Sequence, residues 1–244
     1  MRFDLRLPDQ LRPLRLEPDF LPAAEGSVLF CAGNTRVLCA ATLEEAVPGF
    51  LRGQGKGWVT AEYAMLPRAT LTRTPREVTK GRPSGRTLEI QRLIGRALRS
   101  VVDLTALGER TLILDCDVLQ ADGGTRTAAL SGAFVALTMA LQRLVDAGNL
   151  PRLPLRNYLA ATSVGIVRGD ALLDLNYQED SLADVDMNVA MTGDGRFAEL
   201  QATAEAQPFS DDQARELLRL ARLGIARIMD QQHALLKLNL PRLS

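Results

Sequence analysis

The stretch Asp122-Gly123-Gly124-Thr125-Arg126-Thr127 lies where the pattern of the chain changes from strand to helix. Before it, residues 111–118 alternate polar and apolar side chains; after it, residues 128–137 are small and apolar with large side chains at helical spacing. A helix N-terminus leaves backbone N–H groups free, glycine allows a ligand to approach closely, and Arg126 adds a planar fork of donors. The stretch therefore predicts an anion site, with an ordinary turn and a surface arginine as the alternative.

The pattern around this stretch predicts one α+β domain over residues 1–244, built from two related halves in which mostly antiparallel strands precede long helices. The expected elements are an edge strand in 11–20, a hairpin in 25–43, a strand at 58–66, a helix at 84–102, strands at 158–167 and 171–177, a hairpin at 185–203 and a helix from 210 to about 233. The single histidine, His233, is expected on a solvated helix face. The chemistry is therefore expected to run without an imidazole base.

Composition restricts the class of protein. With 46% hydrophobic and 24% charged residues, the chain is expected to be soluble with an ample core, and no run approaches the roughly 18 apolar residues of a membrane span. The first eight residues are too charged for a secretory signal. The three cysteines show no C-x-x-C spacing and are predicted to be buried free thiols, so the expected location is the cytoplasm.

Charge is segregated along the chain although the formal net charge is +0. Between Arg68 and Arg99 nine cations accompany two acids, whereas between Asp170 and Asp194 there are seven acids and no cation. These blocks indicate an anionic ligand and allow for a metal. The segment 67–85 is too polar to pack, which predicts a mobile surface loop that contacts a phosphate backbone, with a merely solvated loop as the alternative.

Two further motifs supply candidate site residues. Gly85-Arg86-Thr87 opens the helix at 84–102 and echoes the glycine, arginine and threonine of the first stretch, so two arginines could converge on one anion. Asp184 and Asp186 point the same way on an extended chain, with Asp180 in the turn before them. Such carboxylates can hold Mg²⁺, and a charged hairpin turn is the alternative. The role of Asp184 stays open.

These motifs together resemble the bacterial ribonuclease PH family. The resemblance is carried by residues 57–63, 65–70, 85–87, 89–92, 184–189 and, above all, Asp115-Cys116-Asp117-Val118-Leu119-Gln120-Ala121-Asp122-Gly123-Gly124-Thr125-Arg126-Thr127. It implies a phosphorolytic 3′→5′ exoribonuclease that trims the 3′ ends of transfer RNA precursors and other RNA, with inorganic phosphate as co-substrate and nucleoside 5′-diphosphates as products. It also implies a homohexamer, a trimer of dimers.

The resemblance also implies a role for particular residues. It implies phosphate binding by Arg86, Gly124, Thr125 and Arg126, catalysis and Mg²⁺ binding by Asp180 and Asp186, and RNA binding by Arg68, Arg73 and Arg76. Phosphate is already an anionic nucleophile near pH 7, which agrees with the scarcity of histidine. A catalytically silent RNA-binding ring subunit and a plain hydrolase are the alternatives. Because a silent subunit has no need of both arginines and both acids, their presence favours the enzyme.

Overall fold

The computed structural model describes residues 2–205 and 207–243. The first half of the chain forms a five-stranded sheet with the strand order β1-β2-β3-β5-β4. Its strands are β1 (Leu14–Pro18), β2 (Gly26–Ala32), β3 (Thr35–Glu44), β4 (Trp58–Met65) and β5 (Thr111–Gln120). Neighbouring strands are antiparallel except β4 and β5, which run parallel and therefore need a crossover connection.

The crossover from β4 to β5 is helical. It contains α1 (Gly85–Val101) and the one-turn helix α2 (Leu104–Leu107). Ser84 caps α1, because its hydroxyl oxygen accepts a hydrogen bond from the backbone N–H of Thr87. The apolar face of α1, with Ile90, Ile94 and Leu98 fully buried, packs against β4. The first turn of α1 therefore sits at the end of the polar loop 67–85.

The second half of the chain forms an antiparallel four-stranded sheet with the order β7-β6-β8-β9. Its elements are β6 (Leu159–Val167), β7 (Asp170–Leu173), the one-turn helix α4 (Tyr177–Asp180), β8 (Val185–Thr192), β9 (Phe197–Ala204) and the final helix α5 (Asp211–Leu236). Ser210 and Gln213 form a capping box at the start of α5, each side chain bonding to the backbone of the other. α5 packs on β6 and β7.

Helix α3 (Thr125–Asp146) is the common centre of both halves. It contacts β2, β3 and β5 of the first sheet and β6 of the second. By length and composition α3 could cross a membrane, but 78% of its most apolar window is buried, so core packing accounts for its composition. The sheet approaches α3 closely, since a Cβ at Gly132 would lie 2.7 Å from Sγ of Cys39. A single hydrophobic cluster extends from the first sheet through α3 to the second sheet.

Most of the expected elements are confirmed, including both hairpins and the helices that begin after Ser84 and Ser210. The α+β class is confirmed, with the parallel pairing of β4 and β5 as the departure from antiparallel order. All three cysteines are buried and free, as predicted.

Two local predictions are wrong. The strand expected at 171–177 ends at Leu173, because Asp174 adopts a left-handed backbone (φ 56°) and Tyr177 begins α4. His233, expected in solvent, is half-buried, and its Nδ1 lies 3.0 Å from the hydroxyl oxygen of Tyr158.

Candidate active site

The glycine pair forms the turn between β5 and α3. Gly123 and Gly124 both have positive φ, 75° and 64°, and a Cβ at Gly123 would lie 2.4 Å from the carbonyl oxygen of Leu175. Gly124 is the N-cap of α3, and no side chain of the described residues caps this helix. The first N–H groups of α3 therefore lack a side-chain partner, which is the arrangement that binds anions.

Arg126 lies in the first turn of α3 and is held from two sides. Its Nη1 donates a hydrogen bond of 2.6 Å to Oε1 of Gln201 on β9, and the same nitrogen lies 3.6 Å from Oε1 of Glu89 on α1. The side chain of Arg126 is only 12% exposed. Beside it, the hydroxyl of Tyr63 donates to Oγ1 of Thr125 across 2.9 Å. The guanidinium group is therefore oriented before any anion arrives.

Arg86 reaches the same place from the other long helix. It is exposed and lies in the first turn of α1, at the end of the loop 67–85. Together with Gly124, Thr125 and Arg126 it lines one cavity of about 220 Å³. The convergence of two arginines expected from the repeated glycine, arginine and threonine motif is therefore present in the fold.

The same cavity is also lined by two acids. Asp180 ends α4 and is open to the cavity, and Asp186 lies at the start of β8, partly buried. Burial and the neighbouring Asp180 carboxylate raise the pKa of Asp186, and Arg126, a hydrogen bond from Asn188 and Arg86 offset this only in part. Burial likewise raises the pKa of Asp180 against the lowering effect of Arg86 and Arg126. The two acids repel each other and both sense both arginines.

The donor set suits Mg²⁺ bound with the help of a substrate. The described residues contain no group of three or more His, Cys, Asp or Glu side chains placed to hold a metal. Two mutually repelling carboxylates in the same cavity as two arginines match the usual Mg²⁺ arrangement, in which one or two carboxylates, water and substrate phosphate complete the shell.

Asp184 lies elsewhere. It is exposed and lines a different cavity, with Ile166, Pro208 and Phe209.

The basic loop lies next to the cavity, but its three arginines differ in placement. Arg76 lines a groove of about 420 Å³ that shares Met65 and Arg86 with the cavity. Arg68 and Arg73 are exposed and line neither, and Nη1 of Arg68 donates to the carbonyl of Leu71. The structure thus brings Arg76 to the site and leaves the other two on the outer part of the loop.

An ion network behind the cavity was not expected from the sequence. Arg2 and Arg12 are buried, with Arg2 bonded to Glu179 and Arg12 to Asp174, and Arg6 joins both acids. The paired residues are up to 177 positions apart in the chain, so no local sequence pattern predicts their pairing. One local signal concerns Asp174, which lies in the apolar run 171–175, where a carboxylate needs a partner.

Comparisons with known proteins find similar sequences along nearly the whole chain. The model of the protein family described as "3′ exoribonuclease family, domain 1" matches residues 10–141, and the model described as "3′ exoribonuclease family, domain 2" matches residues 157–223. The chain is 62% identical to ribonuclease PH of Solibacter usitatus over 237 residues, which is 97% of this chain and 100% of that protein. It is 58% identical to ribonuclease PH of Bacillus subtilis over 244 residues, the whole of both chains.

Solved structures with little sequence identity share the fold. The rice (Oryza sativa) protein Rrp46 has a TM-score of 0.78 at 21% identity, covering 96% of this chain and 100% of that one. A chain of the Archaeoglobus fulgidus exosome with RNA bound to the active site also has a TM-score of 0.78, at 23% identity, covering 95% and 92%.

Proposed function

The chain belongs to the RNase PH family of 3′ exoribonucleases and is a phosphate-dependent 3′ exoribonuclease that processes transfer RNA, and we propose that its chemistry takes place in the cavity between Arg86, Arg126, Asp180 and Asp186. The observation that carries this proposal is that the four side chains come from α1, α3, α4 and β8 yet line one cavity. The two arginines and the start of α3 suit an attacking phosphate, and the two acids suit a metal ion and a proton for the leaving group.

Arg86, Arg126 and the first N–H groups of α3, at Gly124 and Thr125, hold inorganic phosphate in this proposal. An oxygen of that phosphate attacks the phosphorus of the last phosphodiester, the bond from phosphorus to the 3′-oxygen breaks, and a nucleoside 5′-diphosphate leaves. The RNA keeps a 3′-hydroxyl and is one nucleotide shorter. The protein supplies positioning and charge neutralisation for an in-line transfer, which is the usual contribution of enzymes to phosphoryl chemistry.

The two acids act on the leaving 3′-oxygen and on the scissile phosphate. Asp180, which is open to the cavity, is also the acid that donates a proton to the departing 3′-oxygen in this proposal. Asp180 and Asp186 are also the residues that would hold Mg²⁺. A bound Mg²⁺ supplies a positive charge against the oxygens of the scissile phosphate. The reverse reaction adds a nucleotide from a nucleoside diphosphate to an RNA 3′ end, because the same contacts serve both directions.

The RNA enters along the basic loop. Arg68, Arg73 and Arg76 contact the phosphate backbone of transfer RNA precursors and other RNA upstream of the 3′ end. The groove that Arg76 lines supports this path, because it shares Met65 and Arg86 with the cavity.

The proposed working form is a homohexamer, a trimer of dimers, in the cytoplasm. Support for a ring comes from the fold shared with a chain of the archaeal exosome core, which has a TM-score of 0.73. Support for a reducing compartment comes from three buried cysteines that are all free.

Product identification tests the proposal. Single-stranded RNA is incubated with the protein and Mg²⁺, with and without inorganic phosphate, and the released nucleotides are separated. Nucleoside 5′-diphosphates that appear only with phosphate are the expected result. Monophosphates released without phosphate would indicate a hydrolase, and RNA binding without release would indicate a silent subunit; either result contradicts the proposal.

A further inference from the structure

Arg12 is a buried arginine that connects the two halves of the chain behind the cavity. It precedes β1, and its side chain is 5% exposed. Its Nε and Nη2 donate to the two carboxylate oxygens of Asp174 across 3.0 and 2.7 Å, and its backbone N–H donates to the same carboxylate across 2.8 Å. Such a bidentate pair fixes the plane of the guanidinium group.

The remaining donors of Arg12 point at the glycine turn. Nη1 donates to the carbonyl oxygen of Asp122, and Nη2 lies 3.4 Å from the carbonyl oxygen of Gly123. Thr35 completes the hold, because its hydroxyl donates to the Gly123 carbonyl across 2.7 Å and accepts from the Asp122 N–H across 3.0 Å. The turn that opens α3 is therefore held through the carbonyl groups of Asp122 and Gly123 and the N–H of Asp122, and none of these bonds uses the N–H groups of Gly124 or Thr125.

The partner of Arg12 belongs to the segment that carries Asp180. Asp174 has a left-handed backbone (φ 56°), a strained conformation for a residue other than glycine, and its N–H donates to the carbonyl of Ser163 across 2.7 Å. Six residues later the chain reaches Asp180. A second link runs in the opposite direction, since the Asp122 carboxylate accepts a hydrogen bond from the N–H of Tyr177 at the start of α4. The glycine turn and the segment 174–180 are thus linked by two contacts, one through Arg12 and Asp174 and one between Asp122 and Tyr177.

We propose that Arg12, paired with Asp174, is a positioning residue that sets the distance between the phosphate-binding turn at the start of α3 and the carboxylates of Asp180 and Asp186. This inference rests on the proposed function, because the turn is taken as the phosphate site. Arg12 is buried and is not among the residues that line the cavity. It acts through the carbonyls of Asp122 and Gly123, so its loss moves the N–H groups that phosphate contacts while the RNA path along the loop 67–85 is untouched.

Arg2 provides a matched control, because it is equally buried in the same network. It bonds to Glu179 and to the carbonyls of Leu7, Gln10 and Asp174, but the structure gives it no bond to the glycine turn among the described residues. If both arginines only stabilised the fold, substituting either one would have the same effect on the KM for phosphate. If Arg12 positions the glycine turn, only its substitution raises that KM.

The test compares Arg12→Lys with Arg2→Lys in the full chain. Lysine keeps the charge and one contact to the carboxylate but lacks the planar fork that reaches both Asp174 and the turn. We expect Arg12→Lys to raise the KM for phosphate by about 10- to 100-fold, the scale found when groups that orient a ligand-binding residue are lost, with RNA affinity unchanged. Arg2→Lys is expected to lower Tm while its phosphate KM stays within about threefold of the wild type.

Asp174→Asn provides a second variant should Arg12→Lys not fold. Asparagine tolerates a left-handed backbone, so this change removes the charge and keeps the turn. The same rise in phosphate KM is expected, and the double variant should be no worse than either single one, since both break one link. Unchanged phosphate KM in Arg12→Lys or Asp174→Asn, or an equal rise in Arg2→Lys, would overturn the inference.

Calorimetric titration with inorganic phosphate separates this inference from the proposed function. A wild-type protein that releases no diphosphate from RNA would refute the function, yet weaker phosphate binding in Arg12→Lys than in Arg2→Lys would still establish the positioning role.

Discussion

Nη1 of Arg126 donates a 2.6 Å hydrogen bond to Oε1 of Gln201, and Nε2 of Gln201 donates in turn to Glu89 across 2.8 Å. The arginine that is proposed to hold phosphate is therefore oriented by a neutral amide from the second half of the chain. The amide uses one nitrogen of the guanidinium group, and the other donors stay available to an anion.

Gln201→Leu is expected to raise the KM for phosphate about tenfold with a smaller change in kcat. A hydrogen bond to a charged group contributes roughly 1.5 kcal/mol, and about 1.4 kcal/mol corresponds to a factor of ten. Phosphate titration of the initial rate measures the effect. Gln142→Leu, on the exposed side of α3, is the control and should leave the KM unchanged. A Gln201→Leu enzyme with wild-type KM would show that Arg126 needs no such orientation.

Asp186→Asn is expected to stabilise the fold while it suppresses activity. Because burial and the Asp180 carboxylate raise the pKa of Asp186, the ionised form costs stability above that raised pKa. Removing the charge should raise Tm at pH 7 by about 2–4 °C, the shift that corresponds to about 1 kcal/mol in a chain of this size. The gain should shrink as pH falls through the raised pKa and vanish below about 3.9, where the wild-type carboxyl is protonated in both states.

Thermal unfolding between pH 3.5 and 7 measures this gain. Asp184→Asn is the matched control, two residues away and outside the cavity, and it should change neither Tm nor activity. A drop in Tm for Asp186→Asn at pH 7 would contradict the assignment of an electrostatically strained acid pair.

Mg²⁺ dependence should follow the same two acids. We expect chelation with EDTA to stop diphosphate release, and Asp180→Asn to raise the half-saturating Mg²⁺ concentration at least about tenfold, as expected for losing one of two carboxylate ligands. Asp184→Asn should leave the Mg²⁺ curve unchanged. Release that continues at full rate in EDTA would exclude the metal role.

The combined replacement of Arg68, Arg73 and Arg76 by alanine should weaken RNA binding and flatten its salt dependence. Each lost phosphate contact on a single strand lowers the slope of log K against log salt by about 0.7, so the slope should fall by up to about 2. The KM for phosphate should stay constant, because the cavity is unaltered. Replacing Arg215, Arg219 and Arg222, three exposed cations on α5, controls for net charge. An unchanged slope in the loop variant would exclude the loop from the RNA path.

Much of the fold follows from local pattern. The apolar spacing of α1 and α3, the glycine turns of the hairpins and the capping serines Ser84 and Ser210 are short-range signals, and each leads to the element observed. The parallel pairing of β4 with β5 could not be read in the same way, because it depends on how a long crossover packs and leaves no periodic mark.

Part of the candidate site could likewise be predicted from local pattern, and part of it could not. Gly124, Arg126 and Arg86 are found from their position at helix starts. Spacing alone pairs Asp184 with Asp186, and only the family resemblance selects Asp180 and Asp186, which line one cavity while Asp184 lines another. The ion pair between Arg12 and Asp174 could not be predicted from local pattern, because the two residues are 162 positions apart and neither lies in a motif. The outward placement of Arg68 and Arg73 also depends on the path of a polar loop, which composition does not specify.

Arg126→Ala tests the central claim most directly, with phosphate-dependent release and RNA binding measured on the same preparation. Loss of one such charge contact in the transition state typically costs about 10²–10³ in rate, so we expect diphosphate release to fall by at least that factor while RNA affinity stays near the wild-type value. Arg143→Ala, an exposed arginine at the far end of α3, should behave as wild type. Equal loss of release and RNA binding in Arg126→Ala, or release that survives unchanged, would contradict a phosphate site at the start of α3.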